Sequence, residues 1–92
     1  MVAELDDQVV GFIAYELKGE RGEVVLLAVH PEFQRRGIAT QLNQAALDEM
    51  KAAGAKLAVA ETGGEAGHAP ARRAYEKAGY TGLPLVRYFK DL

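Results

Sequence analysis

Two arginines and a glycine stand at a corner between an apolar segment and a predicted helix, in the sequence FQRRGIATQL at residues 33–42. Gly37 permits a tight backbone turn and, lacking a Cβ, lets a ligand approach the backbone. The first amides of a helix have no intrahelical acceptor, and the helix dipole adds partial positive charge there. The amides from Arg35 to Ala39, assisted by the arginine side chains, therefore predict a site for phosphate or pyrophosphate.

Two other interpretations of this corner are less favoured. The phosphate-binding patterns G-x-G-x-x-G and G-x-x-x-x-G-K-[ST] do not occur in the sequence, which argues against a nucleotide-binding protein. Arg35 and Arg36 would also be ordinary on a solvated surface turn. The glycine at this spacing favours the anion site.

The composition limits the class of protein. The 92 residues, 49% hydrophobic and 26% charged, fit a single globular domain over residues 1–92. The net charge of −2 argues against nucleic acid or an anionic membrane as a partner. The absence of cysteine excludes a thiolate nucleophile, and we predict no bound metal. No leader-like start and no apolar run of membrane-spanning length occurs, so we predict a soluble, cytoplasmic protein.

The elements that position this corner follow from the hydrophobic pattern. The pattern predicts the order β-β-β-α-β-α-β, an α/β (α+β) fold with a mixed sheet and helices on its faces. The third strand, VVLLAV, is apolar on both faces, which predicts a central strand covered on two sides. Gly54 and Gly79 are placed to end the two helices. The predicted strands cover residues 1–5, 9–17, 24–29, 56–61 and 86–92, and the predicted helices cover residues 38–53 and 70–78.

Two motifs carry a family resemblance. The first is Q-x-x-G-x-A, from Gln34 to Ala39, after a strand ending AVHPEF; the second is ARRAYEKAGY at residues 71–80, about 35 residues later. With both motifs in this order and spacing, the chain resembles the GNAT superfamily of N-acetyltransferases over nearly its whole length. The resemblance implies a mixed, mostly antiparallel twisted sheet. Ala39 stands where the family usually has a glycine.

The resemblance also implies a reaction, in which an amine attacks the thioester of acetyl-CoA directly in a ternary complex. The backbone amide of Val29 would stabilise charge on the thioester oxygen, and Tyr75 would protonate the departing thiolate. Glu61, at the end of the strand opposite the central one, is the candidate base, acting through water. Cosubstrate contacts are implied for a set of residues before, within and after the turn: Ala28, Val29, Gln34, Arg35, Arg36, Gly37, Ile38, Ala39, Thr40, His68 and Arg72.

Purely structural roles remain as alternatives for several of these residues. Tyr75 would also suit a packing position on an alanine-rich helix face, and Glu61 an ordinary strand end. His68 stands where the family often has an asparagine that holds the cofactor arm, and it would also suit a loop before a helix. Arg72 would also suit a solvated helix face.

The family's first strand and the two helices after it have no counterpart before Met1, and those helices form much of one wall of the acceptor site. A sheet without them would expose apolar surface and an edge, so we expect a homodimer whose partner covers that side. The predicted function is transfer of an acetyl group from acetyl-CoA to a primary amine of a small molecule or a protein. The alternative is a non-catalytic acyl-CoA-binding module that acts through a protein partner.

Overall fold

Four strands form one sheet in chain order, and two helices accompany it, in a computed structural model that describes residues 1–62 and 68–92. The first three strands are antiparallel, and the fourth pairs with the third in parallel. A 3₁₀ turn at Pro31–Phe33 precedes the first helix. The elements are β1 (Val2–Leu5), β2 (Gln8–Lys18), β3 (Arg21–Val29), α1 (Ile38–Ala52), β4 (Leu57–Ala60) and α2 (Ala69–Lys77).

Both hairpins turn in two residues, which makes β2 and β3 longer than the sequence pattern predicted. Asp6 and Asp7 both have positive φ, 52° and 63°, a geometry that matches the right-handed twist of the paired strands. At the second turn, Lys18 pairs directly with Arg21. The facing carboxylates Glu16 and Glu23 are tolerated because Lys18 Nζ lies 3.6 Å from the first and 2.9 Å from the second.

Helix α1 packs on one face of the sheet over two glycines of the β2–β3 hairpin. A Cβ built on Gly11 would lie 3.3 Å from both Ile38 and Leu42 of α1. A Cβ built on Gly22 would lie 2.5 Å from the Met50 sulfur, near the other end of the helix. The glycines therefore allow a close approach along the whole helix. The buried cluster between α1 and the sheet consists of Ile13, Val24, Leu42, Ala46 and Met50.

The parallel pairing of β3 with β4 covers only part of β3. It runs from Arg21 opposite Leu57 to Val24 opposite Ala60, where β4 ends. Residues 25–29 of β3 continue without a β4 partner, so the two strands separate at their carboxyl ends. This separation opens a gap whose wall is the free edge of β3.

The mixed, mostly antiparallel α+β sheet is confirmed, but two predictions about its strands are wrong. Residues 86–92 form no strand, because a strand requires a hydrogen-bonded neighbour and no backbone–backbone hydrogen bond joins residues 81–92 to other described residues. β3 is also covered on one face rather than two. Leu26, on the face opposite α1, is 51% exposed, and Phe12 on the same face is 37% exposed.

The contact between Gly22 and Met50 gives a test of this packing. We expect Gly22→Ala to lower the free energy of unfolding by about 1–3 kcal/mol, because the new methyl group overlaps a buried side chain. Gly82→Ala is the control, since a Cβ there meets no described atom within 4 Å, and it should change stability by less than about 0.5 kcal/mol. Urea unfolding followed by circular dichroism measures both. Equal stabilities of the two variants would contradict the close packing of α1.

Candidate functional site

Side-chain hydrogen bonds build the corner between β3 and α1. His30 Nδ1 accepts a hydrogen bond from the amide of Glu32 at 3.1 Å, which caps the 3₁₀ turn. Gln34 Nε2 donates to the carbonyl oxygen of Val29 at 3.2 Å. Gln34 thus ties the turn back to the last residue of β3. This contact gives Gln34 a structural role that the sequence did not reveal.

The backbone of the corner exposes unpaired amides. Gly37 has φ of 81°, which suits a glycine, and Arg35 has φ of 66°, which costs a non-glycine residue about 1–2 kcal/mol. The first intrahelical hydrogen bond of α1 runs from the amide of Gln41 to the oxygen of Gly37, at 3.0 Å. The amides of residues 38–40 therefore have no intrahelical acceptor, and no side chain of a described residue caps the helix. An anion fits these donors, and the space beside Gly37 is open to it.

The two arginines flank this anion corner in different ways. The Arg36 guanidinium lies 5.2 Å from the centroid of the Phe33 ring, a cation–π contact that holds it at the turn. Phe33 is supported in turn by an edge contact with His30 at 5.6 Å. The Arg35 side chain is exposed. Both cations lie where they can approach an anion bound at the start of α1.

The free edge of β3 carries further amide donors. The His30 amide donates to the Val10 oxygen on β2 at 2.7 Å. Because successive amides of a strand point to opposite edges, the amides of Val29 and Leu27 point away from β2, into the gap beyond the end of β4. Val29 was predicted from the sequence, and Leu27 was not. The alternation of strand amides, once β3 had been predicted, was the signal that could have found it.

A cleft of about 210 Å³ lies between the separated strands and α2. It brings together three of the predicted residues, Glu61, His68 and Tyr75. His68 Nδ1 lies 3.4 Å from the hydroxyl oxygen of Thr62, across the mouth of the cleft. The remaining walls are residues 24–27 of β3 and Ala71 of α2. The anion corner does not line this cleft, and residues 25–29 of β3 run between the two.

The Tyr75 side chain lines the cleft and is half-buried. Burial raises its pKa above the usual value of 10.0, so the hydroxyl keeps its proton throughout the neutral range. Its ring makes an edge contact with the ring of Tyr80 at 5.4 Å. Burial likewise raises the pKa of Tyr80, with a smaller contribution from Tyr75. The Tyr80 hydroxyl is buried without a hydrogen-bond partner among the described residues, and of the two tyrosines Tyr75 is the one that lines the cleft.

Glu61 lies just beyond the end of β4, and its side chain is 68% exposed. Its carboxylate is 4.0 Å from the Arg87 guanidinium of the C-terminal segment, a loose contact between solvated groups.

Arg72 is half-buried on α2, three residues before Tyr75 and therefore one helical turn away. The other predicted contact residues line the end of β3 and the start of α1 and are half-buried: Ala28, Ile38, Ala39 and Thr40.

The sequence and the fold agree with those of known acetyltransferases. The model of the acetyltransferase (GNAT) family matches residues 1–80. The chain belongs to this family. It is 41% identical over 70 residues to N-alpha-acetyltransferase 30 of Schizosaccharomyces pombe, an alignment that covers 75% of this chain and 45% of the relative. The chain therefore spans less than half of that protein.

Solved GNAT structures have the same fold. A structure described as an acetyltransferase of the GNAT family from Desulfovibrio desulfuricans superposes with a TM-score of 0.85 at 28% identity, over 96% of this chain and 57% of that one. The aminoglycoside acetyltransferase AAC(6')-Iy, solved with the bisubstrate analogue CoA-S-monomethyl-acetylneamine, superposes with a TM-score of 0.80 at 18% identity. That match covers 99% of this chain and 67% of the other and shows the fold alone.

Neither a membrane-spanning helix nor a metal-binding group is found in the part of the chain that the structure describes. No helix in residues 1–62 and 68–92 is long and apolar enough to cross a membrane. Within the same residues, no three His, Asp or Glu side chains are grouped as metal ligands.

The burial of Tyr75 predicts an alkaline loss of stability. Because the folded state holds the phenol proton more tightly than the unfolded chain, the stabilisation is present below pH 10 and disappears as the pH rises through the raised pKa. We expect the free energy of unfolding to fall more steeply above pH 10 in the wild type than in Tyr75→Phe. Urea unfolding between pH 8 and pH 11 measures this difference. Tyr88→Phe, at a 90% exposed position, is the control and should lose stability with pH as steeply as the wild type. If Tyr75→Phe also loses stability as steeply as the wild type, burial of the Tyr75 hydroxyl is contradicted.

Proposed function

We propose that the protein is an N-acetyltransferase that transfers an acetyl group from acetyl-CoA to a primary amine in a ternary complex. The observation that carries this proposal is the free edge of β3, which connects an uncapped helix N-terminus to a cleft containing a protonated tyrosine. One end of this path suits a pyrophosphate and the other suits a thioester. Membership in the acetyltransferase family supports the same assignment.

The residues of the path fit acetyl-CoA in order. The amides of residues 38–40, Gly37 and the two arginines would hold the pyrophosphate. The amides along the free edge of β3 would donate hydrogen bonds to the pantetheine arm. Leu27 lines the cleft with Tyr75, whereas Val29 lies nearer the corner. We therefore assign the Leu27 amide as the hydrogen-bond donor to the thioester oxygen. The Val29 amide would instead contact the pantetheine arm.

The chemistry requires a proton donor and a proton acceptor. As the amine nitrogen bonds to the carbonyl carbon and the carbon–sulfur bond breaks, the thiolate takes a proton from the Tyr75 hydroxyl. The attacking nitrogen loses its proton to a water molecule, and Glu61 in the same cleft would accept a proton from that water. His68 and Arg72 flank the same cleft and would contact the arm from the α2 side. No protein nucleophile takes part, in keeping with a chain that has no cysteine.

The acceptor is proposed more broadly than the cosubstrate. The sequence relative is an N-alpha-acetyltransferase, and several structural neighbours are aminoglycoside acetyltransferases. A peptide α-amine and an aminoglycoside amine would both arrive as ammonium cations, which Glu61 would attract, and each would lose a proton to water before its neutral nitrogen attacks the thioester. We further propose a cytoplasmic location and a homodimer, whose second copy covers the apolar sheet face that carries Phe12 and Leu26.

A non-catalytic acyl-CoA-binding module is the second candidate. The observation in its favour is the exposed face of β2 and β3, which offers no acceptor wall among the described residues. Such a module would bind CoA species through the same corner but would not need the Tyr75 hydroxyl. The two candidates therefore differ in turnover and agree in binding.

Calorimetry with acetyl-CoA, CoA and ATP tests the anion corner. We expect micromolar binding of both CoA species and weakening of at least tenfold by Gly37→Glu, which places a carboxylate among the amide donors. Gly54→Glu is the matched control, because Gly54 also has positive φ and an open Cβ position but lies beyond the opposite end of α1. Equal weakening by both variants, or ATP binding as tight as CoA, would contradict a CoA-specific corner.

Tyr75→Phe separates the enzyme from the binding module. We expect kcat for acetylation of an amine panel of peptides and aminoglycosides to fall by about 10²-fold or more, with the Kd for CoA within threefold of the wild type. Tyr80→Phe is the matched control, because it removes a buried hydroxyl that has no partner among the described residues. Turnover that is unchanged in Tyr75→Phe would remove the acid role, and no turnover in the wild type would favour the binding module.

A further inference from the structure

Thr62 has no part in the proposed amine acetylation, yet its hydroxyl is paired with an imidazole in the same cleft. Its Oγ1 lies 3.4 Å from Nδ1 of His68, and both side chains line the cleft together with Tyr75. In the tautomer that carries its proton on Nε2, His68 accepts a hydrogen bond from the Thr62 hydroxyl through Nδ1. A hydroxyl within hydrogen-bond reach of a neutral imidazole is the arrangement that activates serine and threonine nucleophiles.

The fold brings the pair together from two sides of the cleft. Thr62 lies two residues beyond Ala60, the last residue of β4, and His68 is the N-cap residue of α2. The His68 side chain makes no cap hydrogen bond to α2, and its ring lies against Thr62 instead. His68, Ala71 and Tyr75 are spaced as i, i+3 and i+7, which places all three on the face of α2 that lines the cleft. An imidazole and a protonated phenol therefore share this face.

The size of the cleft places the pair close to the reacting carbon. Leu27, whose amide we assigned to the thioester oxygen, lines the same cleft of about 210 Å³ as Thr62. Ligand pockets commonly measure about 300–1,000 Å³, so a thioester held at Leu27 in this smaller space lies near every wall. Tyr75 is assigned to the departing thiolate, which leaves Thr62 as the hydroxyl that can act as a nucleophile. When no amine is bound, the Thr62 hydroxyl is the protein nucleophile beside the thioester.

We propose that Thr62 accepts the acetyl group of acetyl-CoA when no amine occupies the cleft, so that the protein acetylates itself on this hydroxyl. The inference rests on the acetyl-CoA site of the proposed function. It adds a modification site to the cleft and an alcohol as a second class of acetyl acceptor. His68 serves as the base of this reaction, in addition to any contact that it makes with the pantetheine arm.

The step balances with acetyl-CoA as the sole co-reactant. Thr62 Oγ1 bonds to the carbonyl carbon as the carbon–sulfur bond breaks, and the hydroxyl proton passes to Nδ1 of His68. The departing thiolate takes a proton from the Tyr75 hydroxyl, as in the acetylation of an amine. His68 then gives its proton to water, and Tyr75 regains one from water. The products are the acetyl ester of Thr62 and the CoA thiol, and the transfer is downhill because a thioester is a stronger acyl donor than an oxygen ester.

Mass spectrometry of the full chain, incubated with acetyl-CoA and no amine, tests the proposal. We expect one added acetyl group per chain, located on Thr62 by peptide fragmentation. Alkaline hydroxylamine should remove it, because this reagent cleaves oxygen esters and leaves acetyl-lysine intact. Thr62→Val removes the hydroxyl at nearly constant volume and should stay unlabelled, whereas Thr81→Val, outside the cleft, should be labelled like the wild type. Label confined to lysines, equal label in the two variants, or no label would overturn the proposal.

The rate of labelling tests the base. Glutamine has no basic nitrogen, so we expect His68→Gln to acquire the label at least tenfold more slowly than the wild type at saturating acetyl-CoA. Saturation removes the effect of any weaker cosubstrate binding in this variant. Thr62→Ser keeps a hydroxyl beside the imidazole and should be labelled within threefold of the wild-type rate or faster. A wild-type rate in His68→Gln would overturn the pairing.

The acyl donor p-nitrophenyl acetate separates this inference from the proposed cosubstrate, because it carries no phosphate and does not need the anion corner. We expect it to form the Thr62 ester in the wild type and none in Thr62→Val. An ester formed from this donor by a protein that binds no CoA in calorimetry would refute the acetyl-CoA assignment and retain Thr62 as an acetyl acceptor. CoA binding and amine turnover without a Thr62 ester from either donor would overturn this inference and leave the proposed function standing.

Discussion

The close approach of α1 to the β2–β3 hairpin is the constraint on which the rest of the structure depends. Gly11 and Gly22 have no side chains and lie directly beneath the two ends of the helix. Ile38 and Met50 therefore pack against the backbone of the sheet. Anchored at both ends, the helix begins just past the end of β3. Its uncapped amides are held there by the core rather than by the loop before them. The anion corner is therefore a consequence of packing, and the strained φ of Arg35 persists because the helix and strand on either side fix the path between them.

The same packing produces the cleft. The chain must cross from the end of α1 to β4, which pairs with β3 only as far as Val24. Beyond that point β3 keeps a row of amides on a free edge, and α2 packs on α1 so that Tyr75 contacts the core cluster from the open side. Tyr75 thus lines the same cleft as the part of β3 that extends beyond its pairing with β4. Burial against the core and separation of the strands are two results of one arrangement, which brings a protonated phenol and this part of β3 to one cleft.

Sequence reasoning succeeded where the determinants are local. The corner depends on one glycine and its neighbours, and the helix that follows depends on periodicity, so both could be predicted from residues close together in the chain. The final strand could not, because its hydrogen-bond partner is not specified by residues 86–92 themselves. Asn43 was missed for a related reason. It is fully buried, with neither amide atom bonded to a described residue, and no periodic pattern of apolar residues would place a polar side chain there. The roles of Tyr75 and Glu61 came from the family resemblance, and the cleft shows only that the two residues share one site.

The division between local and non-local determinants also divides the site. The proposed cosubstrate side is formed mainly by β3, the corner and α1, which follow one another in the chain. The proposed acceptor side is bounded by the end of β4, where Glu61 is exposed and contacts the C-terminal segment. The Arg87 guanidinium of that segment lies 4.0 Å from the Glu61 carboxylate and would compete with a cationic amine for it. The affinity for the acceptor would then depend on the C-terminal segment, while the affinity for CoA would not.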